Sequence, residues 1–206
     1  MRRRPAVPRR VTGGWSIFVV RALARLLLRV AGWKIVGEVP SVPKYVLIAA
    51  PHTSNWDFVW AMSIAIVLRV KLHWFGKHTL FGPVFGRILR RWGGMPIRRH
   101  ERANRVADMA GQLQRADSMV LLVPAEGTRG YAEHWKSGFY RIACAADVPI
   151  VMGYLDYAHR RGGFGPTLMP SGDVNSDMRT IRAFYEGLAG KHEANAGPVR
   201  LQDERE

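Results

Sequence analysis

Short apolar runs alternate with longer amphipathic stretches through most of this chain. The apolar runs have the length and composition of buried strands, and they lie at residues 45–50, 71–76, 95–98, 119–125 and 149–157. Apolar residues recur with the helical period in the remaining stretches, at about residues 55–69, 81–92, 101–116, 136–146 and 175–189. Because strands that alternate with helices need crossover connections, the pattern predicts an α/β fold with a mostly parallel sheet flanked by helices.

The N-terminal region has a different pattern, in which arginine interrupts an apolar stretch at a fixed interval. Arg21, Arg25 and Arg29 lie four residues apart within residues 15–33, so they share one side of a predicted amphipathic helix. This pattern is typical of a helix in a membrane interface, with its apolar face toward the lipid and its arginines level with the headgroups. Two alternatives stay open: a helix packed on the protein's own core, and a cleaved signal peptide, which these arginines make the weaker alternative.

The charge of the chain indicates an anionic partner. There are 31 Lys and Arg residues against 16 Asp and Glu, which gives a formal net charge of +15. Residues 1–37 contain no acidic residue, and residues 1–14 are basic with Pro and Gly, which predicts a flexible arm. This excess favours an anionic membrane surface. Specific nucleic-acid binding is not expected, because the sequence has no zinc-finger spacing, RNP-like strand or basic zipper.

Length and composition predict one main domain. A chain of 206 residues that is 48% apolar can fill one sizeable core. We expect the main domain at residues 34–190 and a polar C-terminal tail at residues 191–206. The single cysteine, Cys144, lies among small apolar residues, which predicts a buried thiol and excludes an intrachain disulfide.

A histidine and an aspartate follow the first predicted strand, in the stretch AAPHTSNWDFVW at residues 49–60. Ser54 and Asp57 have the spacing of a capping box, so a helix should begin near Asn55 and the aspartate has a purely structural explanation. Because side chains in a helix lean toward its N-terminus, Asp57 would also point back at His52. An aspartate that accepts from one imidazole nitrogen leaves the other free to take a proton, so the pair is a candidate general base. Backbone amides at the helix start are candidates for stabilising an oxyanion.

Three other segments each have a structural and a functional interpretation. The loop EGTRG, residues 126–130, is either a simple turn or a phosphate-binding loop in which Arg129 presents its planar guanidinium. The segment at residues 93–105 is either a solvated basic face or a phosphate-binding patch. Residues 58–68 are apolar on nearly every side, so they form either plain core or the wall of an apolar groove.

Four blocks of the sequence, taken in order, resemble those of a known enzyme family. PHTSNWD, GGMPIRR, PAEGTRG and VPIVMG lie between residues 51 and 153. They are similar to the four blocks of the glycerophospholipid acyltransferases of the lysophosphatidic acid acyltransferase type. The chain differs from the usual blocks at Pro51, Val123, Ala125 and Met152, and these differences leave the histidine and aspartate in place.

The resemblance implies roles for individual residues. His52 would be the catalytic base and Asp57 its orienting partner, and Arg99 at the end of the second block would bind the phosphate of the acceptor. The third block would contribute to acceptor binding through Glu126, Gly127, Thr128 and Arg129.

The resemblance also implies an activity and its partners. Residues 34–190 would be an acyltransferase domain that moves a fatty acyl chain to the hydroxyl of a lysophospholipid such as 1-acylglycerol-3-phosphate, in phospholipid biosynthesis. The donor would be acyl-CoA or acyl-ACP, with acyl carrier protein a partner in the second case, and no bound cofactor or metal is expected. The protein would be peripheral or monotopic on the cytoplasmic face of the membrane. A non-catalytic lipid-binding protein and an acyltransferase with a different lysolipid acceptor are the alternatives.

Overall fold

Seven strands form one sheet in the computed structural model, which describes residues 15–83, 85–97, 105–202 and 204, with only the backbone for residues 15–17. The strands are β1 Lys34–Val36, β2 Lys44–Ala50, β3 Leu72–Lys77, β4 Gly94–Ile97, β5 Met119–Pro124, β6 Ile150–Asp156 and β7 Arg161–Leu168. Their order is β1-β7-β6-β2-β5-β3-β4, and every neighbouring pair is parallel except β6 and β7. The predicted α/β fold with a mostly parallel sheet is confirmed.

Helices cover both faces of this sheet. They are α1 Trp15–Val30, α2 Trp56–Leu68, α3 Gly86–Arg91, α4 Arg105–Arg115, α5 Gly138–Ala146 and α6 Val174–Tyr185, with short 3₁₀ helices at His78–Phe81 and Glu193–Asn195. Alternate residues of β2 point to opposite faces, so Val46 and Ile48 pack with α4, α5 and α6, whereas Tyr45 and Leu47 pack with α2. The face of the sheet to which Tyr45 and Leu47 point therefore carries α2 and the segment around α3.

α2 is a buried helix because other elements cover it on two sides. One side faces the sheet, where Ala65 joins the core around β2, β3 and β5. The other side packs on α1, where Trp60, Ile64 and Val67 contact Ala24 and Leu28. This double covering explains why the helix is apolar on nearly every side.

The secondary structure differs from the prediction in one helix and two strands. Residues 81–92 do not form one helix, because Gly82 and Pro83 separate the 3₁₀ helix from α3 and proline removes a helical hydrogen-bond donor. The strands β1 and β7 were not expected. β1 has only three residues, and β7 contains Gly162, Gly163, Gly165 and Pro166, which are residues that strand propensity disfavours.

The expected burial of Cys144 is also wrong. The residue is exposed, because it lies on the outer side of α5 while Ile142, Ala143 and Ala146 point into the core. The segment expected as a polar tail does make core contacts: Leu201 is buried and pairs with Trp135 in a short parallel bridge.

Several expectations concern residues that the structure does not describe. The basic arm at residues 1–14, Arg99 and the start of the helix expected at residues 101–116 all lie outside the described residues. They stay predictions.

Candidate active site

Three loops meet at one edge of the sheet because their strands are neighbours and parallel. β2 lies between β5 and β6, with Ala49 opposite Pro124 and Ala50 opposite Tyr154. The loops after these three strands therefore leave the sheet side by side, where ligands of α/β proteins usually bind. They carry His52, Glu126 and Tyr157 respectively.

The predicted contact between His52 and Asp57 is present. His52 Nδ1 lies 3.1 Å from Asp57 Oδ2, and the histidine side chain is 22% exposed whereas that of the aspartate is 6% exposed. The helix begins at Trp56, whose amide donates to Ser54 Oγ over 3.2 Å. The expected capping box is formed in part, because Asp57 Oδ2 accepts from the Ser54 amide, while the serine hydroxyl serves Trp56 instead of Asp57.

Asp57 is surrounded by donors, which fixes both of its oxygens. Oδ2 accepts hydrogen bonds from the amides of Thr53 and Ser54, at 2.8 and 2.9 Å, as well as facing His52. Oδ1 accepts a hydrogen bond of 2.6 Å from the hydroxyl of Tyr157. With Nδ1 of His52 as the donor to this carboxylate, Nε2 is the basic nitrogen.

Hydrogen bonding keeps Asp57 ionised in its buried position. Burial alone would raise the pKa of this carboxyl, but hydrogen bonds from His52, Tyr157 and the Ser54 amide hold the pKa below its ordinary value. The same arrangement raises the pKa of Tyr157, through burial and through its hydrogen bond to the carboxylate. Tyr157 is therefore a neutral donor to a charged acceptor.

Sequence reasoning missed Tyr157. It ends the predicted strand at residues 149–157 and lies 100 residues from Asp57 along the chain, so no local spacing connects the two residues. The aromatic ring is held by Trp33, whose ring meets it edge-on at 5.0 Å, and Trp33 in turn stacks on Trp60 of α2.

Glu126 is held beneath the histidine loop. It is 4% exposed, and its Oε1 accepts a hydrogen bond of 2.9 Å from the backbone amide of His52. Burial raises the pKa of this carboxyl. The contact gives Glu126 a part in fixing the position of His52, and its role in acceptor binding stays a prediction.

The rest of the EGTR loop is exposed at the same edge. Gly127 has φ +68°, a left-handed conformation that glycine adopts without strain. Thr128 Oγ1 accepts a hydrogen bond from the Gly130 amide, which closes the turn. Arg129 is exposed and lines the cavity that contains His52. The EGTR loop is thus a tight turn that also exposes the guanidinium of Arg129 at the cavity.

A cavity of about 690 Å³ extends from this edge into the space between α2 and the sheet. His52, Asp57 and Arg129 line it at the edge, and most of its other walls are apolar. α2 contributes Phe58, Ala61, Ile64 and Ala65, and the sheet side includes Leu72, Trp74, Leu122 and Phe164. Residues 58–68 are thus both core and cavity wall.

The helix-start amides that we expected to stabilise an oxyanion already have partners. The Trp56 amide donates to Ser54 Oγ, and the Asp57 amide donates to the Ser54 carbonyl at 3.3 Å. That expectation is not supported by the structure, because the capping interactions of Ser54 use both donors.

We expect Tyr157→Phe to remove the hydrogen bond that stabilises the ionised Asp57 carboxylate, without disturbing the aromatic packing around residue 157. Because the pKa of Asp57 is lowered in the folded state, its ionised form stabilises the fold above about pH 4, and this stabilisation is lost as the pH falls through the folded-state pKa. Removing the Tyr157 hydroxyl raises that pKa and lowers the free energy of unfolding at pH 7 by about 1.5–3 kcal/mol. Denaturant unfolding at a series of pH values measures both changes.

Tyr45→Phe is the matched control for this variant. Its hydroxyl is buried with no hydrogen-bond partner among the described residues, so its removal should not lower stability. If Tyr157→Phe had the same stability and pH dependence as this control, the hydrogen bond to Asp57 would contribute nothing.

The family of this chain follows from a match that contains the site. The model of the acyltransferase family matches residues 35–156, which is more than half of the chain. The chain therefore belongs to the acyltransferase family, and it is an acyltransferase. This confirms the resemblance of the four sequence blocks.

A solved structure has the same fold. The crystal structure of the 1-acyl-sn-glycerophosphate (LPA) acyltransferase PlsC from Thermotoga maritima matches with a TM-score of 0.56. The two sequences are 14% identical, and the match covers 80% of this chain and 74% of that one. None of the curated proteins matches this sequence.

Proposed function

We propose that this enzyme transfers a fatty acyl chain from acyl-CoA or acyl-ACP to the hydroxyl of a lysophospholipid, such as 1-acylglycerol-3-phosphate, in phospholipid biosynthesis. The observation that carries the proposal is the position of the His52–Asp57 pair at the mouth of a deep, largely apolar cavity. The Thermotoga maritima protein with the same fold is a 1-acyl-sn-glycerophosphate acyltransferase, which supports the choice of acceptor.

In this mechanism His52 is the general base. Its Nε2 takes the proton of the acceptor hydroxyl as that oxygen attacks the thioester carbon, while Nδ1 donates to Asp57. The tetrahedral intermediate then collapses: the carbon–sulfur bond breaks, and the thiolate leaves and takes the proton from His52. The ionised Asp57 stabilises the imidazolium between these two steps.

Arg129 is suited to hold the phosphate of the acceptor. It is exposed, it lines the cavity close to His52, and its guanidinium can bind two phosphate oxygens at once. Binding at this point places the acceptor hydroxyl near the base, which is how a positioning contact accelerates a reaction between two molecules. We assign Arg99 the same function on the basis of the sequence block alone.

The cavity behind His52 is the proposed site of the acyl chain. We expect Ala61→Phe to block it, because Ala61 lines the cavity and is only partly buried, so the larger ring fits without overpacking the core. kcat/KM for a palmitoyl thioester should fall about tenfold or more, whereas that for a butyryl thioester should change little. Steady-state kinetics with a series of acyl-CoA lengths measures the difference.

Ala145→Phe is the matched control, since Ala145 is exposed on α5 at the opposite face of the sheet. An equal loss for short and long thioesters in the Ala61 variant would contradict the assignment of the cavity to the acyl chain.

α1 is the proposed membrane contact, and the protein is proposed to act as a peripheral enzyme at the cytoplasmic face. Ala24 and Leu28 pack on α2, while apolar side chains on other sides of α1 are exposed. These exposed residues are Phe18, Val19, Val20, Leu23, Leu26, Leu27 and Val30. Such a helix can place its apolar face in a lipid interface. Within the described residues, no helix has the length and apolar character needed to cross a membrane.

One assay tests the activity. The purified protein in mixed micelles is given radiolabelled acyl-CoA or acyl-ACP with each of several acceptors: 1-acylglycerol-3-phosphate, lysophosphatidylethanolamine, lysophosphatidylglycerol and a monoacylglycerol. We expect labelled diacyl product with the phosphate-bearing acceptors. Turnover with monoacylglycerol alone would overturn the assigned acceptor class while leaving acyl transfer intact.

A further inference from the structure

The excess of positive over negative charge lies in the first half of the chain. Residues 1–100 contain 18 Lys and Arg against two acidic residues, Glu38 and Asp57. The remaining 106 residues contain 13 Lys and Arg against 14 acidic residues. The net charge of +15 therefore comes from the N-terminal half of the chain. Where the fold places the charged residues of this half decides which partner they can meet.

The fold places the helices of this half on one face of the sheet. α2, the 3₁₀ helix at residues 78–81 and α3 all contribute to the core on that face, through Ala65, Phe81 and Leu89. α1 covers α2 from outside. α4, α5 and α6 come from the second half and cover the other face. On the first of these faces, α1, α2, the 3₁₀ helix and α3 together carry six arginines against a single acidic residue, Asp57.

Residues 78–92 expose large apolar side chains on the face of the sheet that carries α2. Phe81 and Leu89 anchor the segment in the core, and the carbonyl of Trp92 accepts a hydrogen bond from the Trp74 indole. Four apolar residues between and beyond these anchors are 45–67% exposed: Leu80, Phe85, Ile88 and Trp92. Arg87, Arg90 and Arg91 are exposed beside them, and the segment contains no acidic residue.

We propose that residues 78–92 form a second membrane contact, separate from α1, that rests on the surface of an anionic phospholipid bilayer. Exposed apolar side chains interleaved with arginines and without acidic neighbours are suited to a lipid interface, where the apolar groups enter the acyl boundary and the arginines meet phosphate. Two cavity-lining residues of this segment, Leu80 and Leu89, connect the contact to the proposed acyl site. The segment is then the rim over which a chain passes between the bilayer and the cavity.

The test measures vesicle binding without turnover, so its failure is distinguishable from failure of the proposed reaction. Phe85→Ser/Ile88→Ser should weaken partitioning onto phosphatidylglycerol vesicles about tenfold or more in a sedimentation assay. Arg87→Gln/Arg91→Gln should weaken partitioning onto phosphatidylglycerol vesicles about fivefold for each arginine removed. Partitioning onto phosphatidylcholine vesicles should change much less. Leu23→Ser/Val30→Ser in α1 is the comparison for the first contact.

Matched controls come from outside the segment. Met169→Ser replaces an apolar residue that is 51% exposed, close to the 50% of Ile88. Arg141→Gln/Arg179→Gln removes two exposed arginines from α5 and α6, on the opposite face of the sheet. Neither control should change vesicle binding, and circular dichroism with thermal unfolding should show that all the variants are folded.

A labelling experiment covers the case in which the double serine variant is unfolded. Cys144 is exposed, so Cys144→Ser provides the background for Ile88→Cys, and separately for Met169→Cys, each labelled with an environment-sensitive fluorophore. The probe at position 88 should shift to shorter wavelength when phosphatidylglycerol vesicles are added, and the probe at position 169 should not.

Two results would overturn the proposal. The first is a probe at position 88 that stays in water while the protein sediments with vesicles. The second is a pair of observations on the Phe85/Ile88 and Arg87/Arg91 variants: they bind vesicles as well as the original protein does, but they bind a soluble acidic acyl carrier protein more weakly. This result would mean that the surface is a docking site for a protein.

Discussion

Replacing His52 with alanine is expected to lower kcat about 10²- to 10⁴-fold, which is the usual contribution of a positioned general base. The proton of the acceptor hydroxyl would then have no base within the loop that Asp57 organises. KM for the thioester should change little, because the imidazole interacts with the proton that moves in the transition state and not with the acyl chain. Single-turnover and steady-state assays with a labelled thioester measure both constants.

His134→Ala is the control for this experiment, since His134 is a partly buried histidine outside the described cavity lining. It should keep full activity. Turnover by His52→Ala within a few-fold of the original protein, with the same thermal midpoint, would exclude His52 as the base.

Asp57→Asn is expected to lower kcat about 10²- to 10⁴-fold and to destabilise the protein by about 1.5–3 kcal/mol. The amides of Thr53 and Ser54 require an acceptor at the Oδ2 position, so the asparagine carbonyl should take that place and still face His52. The orientation of the imidazole would survive, but the negative charge that stabilises its protonated form would be lost. Stability and activity should therefore fall for separate reasons.

Asp108→Asn separates these two reasons. Asp108 is also in the first turn of its helix, α4, but it is exposed and is not among the residues that line the cavity. Its replacement should cost no more than about 0.3–1 kcal/mol of helix-terminus stabilisation and should leave kcat unchanged. If Asp57→Asn lost only stability, as this control does, the aspartate would be a capping residue alone.

Local spacing was sufficient to predict the contact between His52 and Asp57. The capping pattern placed a helix start just after His52, and the lean of helical side chains brought Asp57 back over it. Both steps involve residues within one loop and one turn, so they do not depend on the rest of the fold. The structure shows the contact and also shows that Ser54 caps Trp56, a detail that spacing did not resolve.

Two strands and one helix break illustrate where the sequence pattern was insufficient. β7 is rich in glycine, which strand propensity disfavours, yet it pairs with β6 on one side and β1 on the other. Residues 161–168 therefore form a strand because of their hydrogen bonds to β6 and β1, and not because of their own propensity. The break before α3 did have a local signal in Gly82 and Pro83, which the apolar periodicity of residues 81–92 outweighed in the prediction.

The sequence by itself determined the alternation that specifies an α/β fold, the histidine–aspartate pair and the order of the family blocks, because each depends on residues close together in the chain. The tertiary structure decided the rest of the site. Tyr157 reaches Asp57, and Glu126 reaches the His52 amide, only because β6, β2 and β5 are neighbours in the sheet. The same strand order and helix placement leave the cavity beneath α2 and put α1 and α3, with their arginines, on the same face of the sheet as that cavity. These are long-range contacts, and no local pattern encodes them.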